Sequence, residues 1–375
     1  MVDMSQTTDA SKTLRVGVVG LGYAGTTHLD AYTALPGTEV VALAGKETER
    51  LHELADTRHV PHTFPDWQDL VARDDLDIVS IGVPNSLHAP IAIAALESGK
   101  HVFCEKPLAT TGAEAQAMVD AAVANDRVLE VAYNHRRRAD VQFLADHVRP
   151  VDGQDGPLGR VYHARASWRR RAGIPGITSW FTNKDAAGGG PLIDLGSHVL
   201  DIAMYLMGEP RVVAVSAVAY NELGTAGRGG SVGGGPVSDA TGRPFDVEDF
   251  ANALLRFEDG SSLQLQASWA SYSKDDEDIE VELLGSTGGA RLFVRNYATE
   301  GTVELYSDID GVPAVTRPAV HVPAGHHQRV IEEFLATIRS GSHDGHHGEF
   351  ALHRTRVVDA VYASAQAGHE VQVVR

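Results

Sequence analysis

The first third of the chain alternates short β-branched runs with longer helical patterns, and this constrains the fold more than any other feature. Leu14–Val19, Glu39–Ala44, Asp77–Gly82, His101–Glu105 and Val128–Tyr133 read as strands. Tyr23–Ala34, Glu47–Asp56, Ser86–Ser98 and Thr111–Asn125 read as helices, with a shorter one at Asp66–Val71. Such repetition builds a doubly wound parallel sheet with crossover helices on its faces. Val16-Gly17-Val18-Val19 is nearly continuous in apolar residues, as a strand buried on both faces requires. The first strand runs into Gly20-Leu21-Gly22-Tyr23-Ala24-Gly25, a G-x-G-x-x-G turn at a helix start. There Gly20 permits a tight turn and Gly22 lets backbone N–H groups approach a pyrophosphate, so the loop, set inside a βαβ unit, predicts dinucleotide binding, with a plain structural turn as the alternative.

After about Tyr133 the rhythm changes. A helix near Ala139–Val148 leads into alternating stretches at Arg160–Trp168, Arg211–Tyr220, Phe250–Phe257, Ser262–Ala270 and Asp278–Leu284. Few helices separate them, which predicts a mostly antiparallel sheet. Gly224–Gly235 reads as a mobile glycine-rich loop, and helices at about His326–Ser340 and Gly348–Ala367 close the chain. The expected organisation is a tail at 1–13, a nucleotide-binding α/β domain at 14–135 and an α+β domain at 136–375.

Composition narrows the function. With 375 residues, 43% hydrophobic and 22% charged, the chain can bury a large core, and wholesale disorder is excluded. No apolar run approaches the ~18–20 residues of a spanning helix, and the start is polar, so a cytoplasmic protein without a membrane partner is expected. Cys104 is the single cysteine, which rules out a disulfide framework or a cysteine zinc cage. Against 32 Lys and Arg stand 50 Asp and Glu, a net charge of −18 that argues against a nucleic-acid partner.

Three further segments carry chemistry. At the end of the second strand an acid would accept hydrogen bonds from an adenosine ribose and repel a 2′-phosphate. Gly45 stands there instead, followed by Lys46, which tilts the cofactor from NAD toward NADP, with Glu47 and Glu49 close by to blunt the effect. The fifth strand ends in Glu105-Lys106-Pro107, aiming Lys106 beyond the carboxyl end of the sheet where ligands bind in open α/β folds. Pro107 makes a cis bond possible there. Read in isolation, Lys106 is equally compatible with a surface lysine at a strand end. Gly188-Gly189-Gly190-Pro191 then opens a helix on which Asp194, His198, Asp201 and Tyr205 share one stripe at ~100° per residue, beside an apolar stripe of Leu195, Val199, Ile202 and Leu206. The polar stripe is expected to project into a cleft, where an imidazole can take a proton from an alcohol as hydride leaves. A solvated helix face is the alternative. Trp168-Arg169 at a strand end, Trp180, Tyr133 and His135 are candidates for substrate contact as much as for core or surface. The tract His343-Asp344-Gly345-His346-His347 reads as a polar loop, and no metal site is expected.

Taken in order, the glycine turn, Glu105-Lys106-Pro107 and the Gly-Gly-Gly…Asp194-x-x-x-His198-x-x-Asp201 helix resemble the Gfo/Idh/MocA family of glucose–fructose oxidoreductase and inositol dehydrogenase-like enzymes. Pro84-Asn85-x-x-His88, Asn134-x-Arg136-Arg137, Val247-Glu248-Asp249 and Ala360-Val361-Tyr362-x-Ser364-Ala365 extend the resemblance over nearly the whole chain. It implies a Rossmann domain and a C-terminal domain whose large open sheet packs against another subunit, giving a homo-oligomer. It also implies NAD(P)-dependent hydride transfer at a secondary alcohol or ketone of a sugar or cyclitol. By the same resemblance Lys106, Asp194 and His198 are catalytic. Gly20, Gly22, Tyr23 and Ala24 hold the pyrophosphate, while Pro84, Asn85, His88, Glu105 and Asn134 line the cofactor. Two other readings fit the same motifs: tightly held, recycled NAD assisting glycoside cleavage or elimination, and a non-catalytic dinucleotide-sensing regulator.

Overall fold

The computed structural model describes residues 12–149, 156–176, 179–230 and 245–374. Residues 1–11 of the expected tail and 231–235 of the glycine-rich loop lie outside them. The helices are α1 Tyr23–Ala34, α2 Thr48–Arg58, α3 Trp67–Val71, α4 His88–Glu97, α5 Gly112–Asn125, α6 Ala139–Val148, α7 Lys184–Ala187, α8 Ser197–Leu206, α9 His326–Ser340 and α10 Glu349–Ala367. Among the described residues no helix is long and apolar enough to cross a membrane. The chain gathers into two compact units, one of residues up to Asn134 with Gly325–His353, the other of His135–Ala324 with Arg354 onward.

The first unit is a six-stranded parallel sheet. Its strands are β1 Leu14–Val19, β2 Thr38–Ala44, β3 His62–Phe64, β4 Ile78–Ile81, β5 His101–Cys104 and β6 Leu129–Val131, in the order β3-β2-β1-β4-β5-β6. The order reverses beside β1, so the carboxyl ends of β1 and β4 border the crevice where such sheets bind ligands. The expected strands and helices are all present, with ends shifted by a residue or two. Only β3 is new; it has three residues and no fully buried position, too little for a hydrophobic pattern. The sequence reading ran the second domain unbroken from 136 to 375, but α9 packs on the first unit. Its residues Val330, Ile331, Phe334, Leu335 and Ile338 join Leu14, Val16, Val18, Tyr32 and Phe103 in one buried cluster. Burying five such side chains stabilises by about 1.5–3 kcal/mol each, enough to draw in a helix distant in sequence.

The histidine tract closes the edge of this sheet. His346 O accepts from Leu129 N on the edge strand β6 (2.9 Å). His343 and His347 are buried, not solvated, and the His343 ring meets His101 edge-on at 5.1 Å. Among the described residues no group of three or more His, Cys, Asp or Glu is arranged to hold a metal ion.

The second unit is a nine-stranded sheet, β14-β13-β12-β11-β7-β10-β9-β8-β15, antiparallel except where β7 pairs with β10. Its strands are β7 Val161–Arg170, β8 Val212–Tyr220, β9 Phe250–Phe257, β10 Ser262–Ser268, β11 Glu277–Gly285, β12 Gly289–Arg295, β13 Val303–Ile309, β14 Val312–Thr316 and β15 Val371–Gln372. The sequence reading missed the last four; β13 and β14 run to the sheet edge with only Val303 buried, so they carry no period-2 pattern. One face packs α8 and the core, through Ala164, Ala166 and Trp168 of β7 and Ile279, Val281 and Leu283 of β11. The other face carries Arg165–Glu282, Arg169–Asp278 and Arg291–Glu280 ion pairs, with Val218, Tyr220 and Leu254 exposed.

Acid should loosen the first unit through His101. Burial, then the charges of Arg127 and His343, pull its imidazole down to about 3. An unfolded imidazole titrates near 6.5, so between those values the unfolded chain binds the extra proton. Stability therefore falls as pH drops from about 6.5 toward 3 and is unaffected by this group above. His101 Nδ1 accepts from Val128 N, a role an Asn oxygen can take. His101→Asn should remove about 1–2 kcal/mol of the stability difference between pH 7 and pH 5, measured by urea unfolding at both; an unchanged difference assigns the acid sensitivity elsewhere.

Candidate active site

The glycine turn is built by close backbone approach. Gly20 adopts φ 111°, and a Cβ there would strike the Gly82 carbonyl at the end of β4. A Cβ on Gly25 would strike the carbonyl of Gly20, and one on Gly82 would strike the nitrogen of Gly25. Three glycines thus clamp β1, α1 and β4 together. Gly22 is different: a Cβ there meets nothing within 4 Å. It opens α1, whose first turn carries no acid and no side-chain cap, and Tyr23 beside it is exposed. Open space before uncapped N–H groups at a helix N-terminus fits a dinucleotide pyrophosphate.

The other carboxyl ends lie around this turn in the sheet order. Gly45 follows β2, and a Cβ there would collide with the Leu21 side chain; an acid at this position needs Leu21 to move. Lys46 pairs with Asp66 at the surface. After β4, Pro84 leads into a turn that buries Asn85. After β5, the Lys106–Pro107 peptide is cis. His88 was expected to line the cofactor, but it has no exposed surface. Its ring sits between Pro107 O (Nδ1, 2.8 Å) and Val83 O (Nε2, 3.1 Å), so it ties the β4 and β5 loops together. Burial pulls its imidazole below the usual range.

A polar chain supports Lys106. The Glu105 carboxylate accepts from the Lys106 backbone N (Oε2, 3.1 Å) and meets His28 Nε2 (Oε1, 3.2 Å), while His28 Nδ1 lies 3.0 Å from Ser80 Oγ. Burial by itself would raise the Glu105 carboxyl, but the His28 hydrogen bond and the charges of His28, Lys106 and His327 outweigh it and hold it below the usual range. Asn134 Nδ2 reaches His327 Nδ1 at 3.3 Å. His28 and His327 were missed in the sequence. The signal for His28 was there: Gly25, His28, Leu29 and Tyr32 form the buried stripe of α1, and a histidine on an apolar stripe needs a polar partner.

In the second unit Asp194 sits on a wide π turn, Leu192–Gly196, running into α8. Glu248 caps this start, accepting from Gly190 N (2.9 Å) and Leu192 N (3.0 Å), and Tyr362 donates to it at 2.9 Å. Burial raises the Glu248 carboxyl, against these hydrogen bonds. Two glycines are needed here for room: a Cβ on Gly189 would strike Tyr362, and one on Gly190 the Glu248 backbone. Asp194 accepts from Trp269 Nε1 at 2.8 Å. The His198 ring lies 4.7 Å from His135 and 5.6 Å from Trp168, and His135 lies 5.1 Å from Trp168.

The single polar stripe read from the helix divides in two. Asp201 does not project into a cleft; it is buried between Arg136 (2.6 Å) and Arg354 (2.6 Å), both of which also pair with Glu209. Tyr205 lies under Arg136 and Arg149. The substrate candidates also separate. Trp168 is on the His198 side, Arg169 points to the opposite sheet face toward Asp278, Tyr133 is in the core of the first unit, and Trp180 stacks on Phe181 at 3.9 Å. Strand alternation puts Arg170 on the face of Trp168, so period 2 already favoured Arg170 over Arg169.

A family model described as an oxidoreductase family with an NAD-binding Rossmann fold matches residues 14–133, and the C-terminal domain model of the same family matches 153–291. D-glucoside 3-dehydrogenase of Escherichia coli is 32% identical over 366 residues, 97% of this chain and 98% of its own. The chain belongs to the Gfo/Idh/MocA oxidoreductase family. Levoglucosan dehydrogenase of Pseudarthrobacter phenanthrenivorans is 34% identical over 313 residues, 78% of this chain and 76% of its own. A solved structure of levoglucosan dehydrogenase in complex with NADH and L-sorbose matches with a TM-score of 0.79 at 27% identity, covering 97% of this chain and 100% of that one.

Within this Gfo/Idh/MocA oxidoreductase the glycine geometry separates binding from folding. Gly22→Ala places a methyl in open space, so thermal stability should hold while NADH binding, followed by nucleotide fluorescence, weakens at least about tenfold, about 1.4 kcal/mol. Gly25→Ala forces a methyl onto a backbone carbonyl and should cost about 1–3 kcal/mol of stability. Equal effects of the two would refute the distinction.

Proposed function

We propose that this chain oxidises a secondary alcohol of a neutral sugar or glycoside, reversibly, with Lys106, Asp194 and His198 as its catalytic residues. The observation that carries the reading is the co-occurrence, in a member of this family, of the open Gly22 turn, Lys106 after β5 and the Asp194/His198 turn-and-helix. The named relatives supply the substrate class: one is a glucoside dehydrogenase and another a levoglucosan dehydrogenase. A bound nicotinamide dinucleotide supplies the acceptor for the hydride. His198 takes the hydroxyl proton as the carbon–hydrogen bond breaks, and gives it back in the ketone direction. Lys106 donates a hydrogen bond to the reacting oxygen and stabilises the negative charge that develops there. Asp194, held by Trp269, orients the sugar through a neighbouring hydroxyl.

The reading favours NAD(H) over NADP(H). The expectation of NADP leaned on the missing acid at Gly45 and on Lys46, and Asp66 pairs with that lysine. The NADH in the levoglucosan dehydrogenase complex points the same way. A panel of methyl glycosides, anhydrosugars, aldoses and inositols, run with both nucleotides and read as reduced-cofactor absorbance, tests the assignment. Turnover should favour NAD(H), and His198→Asn and Lys106→Ala should each lower kcat by about 10²–10⁴. Full activity in either variant, or no turnover across the panel, would sink it.

Self-association through the open sheet face also belongs to this reading. Val218, Tyr220 and Leu254 lie exposed there on neighbouring strands β8 and β9, among ion pairs. Light scattering should give a mass above one chain, and Leu254→Lys with Val218→Lys should lower it; a monomeric wild type ends the idea.

A further inference from the structure

We infer that Glu277, Arg170 and Tyr297 form a subsite that reads the hydroxyl groups of a neutral sugar ring and turns away an anionic one. The inference rests on the sugar-oxidising function proposed above, and it concerns the part of the sugar away from the reacting carbon. Arg170 and Glu277 are register partners on β7 and β11, on the sheet face that Trp168 shares with His198. Trp168 Nε1 (2.6 Å), Arg170 Nε (2.8 Å) and the Tyr297 hydroxyl (2.8 Å) all donate to the same oxygen, Glu277 Oε1. Arg170 also donates to the Tyr297 hydroxyl at 3.2 Å. Three donors on one oxygen leave the other, Oε2, outside the cluster, and the Glu277 side chain keeps 15% of its surface exposed.

Tyr297 reaches this place by an unfavourable backbone. Asn296 and Tyr297 have φ of 48° and 58°, successive left-handed residues that are not glycine. Asparagine tolerates that region, whereas a tyrosine there is strained. The turn is pinned to the very residue it serves: Asn296 N donates to Glu277 O (2.9 Å) and Asn296 Oδ1 accepts from Glu277 N (3.1 Å). The result is a phenol oriented by its hydroxyl, with 54% of the residue exposed, the form of a platform on which the apolar face of a sugar ring can stack.

The chemistry of the three groups selects the ligand. A carboxylate oxygen accepts from one hydroxyl, while the remaining guanidinium N–H groups of Arg170 donate to its neighbour, a pairing suited to a vicinal diol. Asp194 and Glu277 set two carboxylates against the single guanidinium of Arg170, which interacts with both. An added sugar carboxylate would meet an excess of negative charge at this cluster.

The test compares the neutral sugar found by the substrate panel with its uronic acid counterpart. Wild type should favour the neutral form in kcat/KM by about a hundredfold or more. Glu277→Gln should narrow that ratio at least about tenfold, and Tyr297→Phe should lower kcat/KM for the neutral sugar about tenfold, mainly through KM. Glu282→Gln, which breaks an ion pair with Arg165 on the opposite face, should leave the ratio unmoved. A wild type that accepts the uronate equally, or a ratio unchanged in Glu277→Gln, overturns the subsite. If no sugar of the panel is turned over, the proposed function fails separately. Calorimetric binding of methyl glucoside and its uronate to NADH-loaded wild type and Glu277→Gln then decides the subsite, with equal affinities in wild type overturning it.

Discussion

Everything in the nucleotide-binding unit depends on how closely three backbone segments can approach. Gly20, Gly25 and Gly82 bring the end of β1, the first turn of α1 and the end of β4 within a distance that excludes any side chain. Only at that distance do the first N–H groups of α1 point into open space beside Gly22. The same contact fixes where α1 leaves the sheet, and so places His28 over β4 and β5, in reach of both Ser80 and Glu105. The loop carrying Lys106 inherits its position from there, through the Glu105 carboxylate and the Lys106 backbone nitrogen. A steric rule about glycine thereby reaches a side chain eighty residues later.

The second unit solves a different problem, holding carboxylates beside a histidine without letting them pair wrongly. Each acid has its own donors: Trp269 for Asp194, Arg136 and Arg354 for Asp201, and backbone N–H groups for Glu248. Buried charges cost several kcal/mol unless compensated, and the donors here differ enough to keep each acid in place. One polar stripe thus becomes two parts. Its first half, Asp194 and His198, stays with the aromatic rings, while Asp201 is committed to the ion-pair network.

Most of the fold was legible because it is written in periods. The buried parallel strands and the alternating strands β7 to β11 carry their patterns openly, and the glycine turn, Lys106, Asp194 and His198 stand at recognisable spacings. What escaped was whatever depends on two distant segments meeting. Gly82 looks like any strand-end glycine until it faces Gly25, and Glu277 is one more acid until the register sets it against Arg170. Asp201 was misjudged because nothing near it in sequence announces Arg354. His88 was assigned to the cofactor by resemblance alone, and nothing near it in sequence announces the carbonyls of Val83 and Pro107 that hold its buried ring.

The return of α9 to the first sheet has a consequence for synthesis. Phe334 and its neighbours fill a hollow over Phe103, Val16 and Leu14, yet the ribosome makes them only after nearly the whole second unit has emerged. The sheet that leaves the tunnel first therefore carries an uncovered apolar surface until α9 is made. For the same reason, grafting this Rossmann sheet onto another protein by cutting after β6 would transplant an unfinished core.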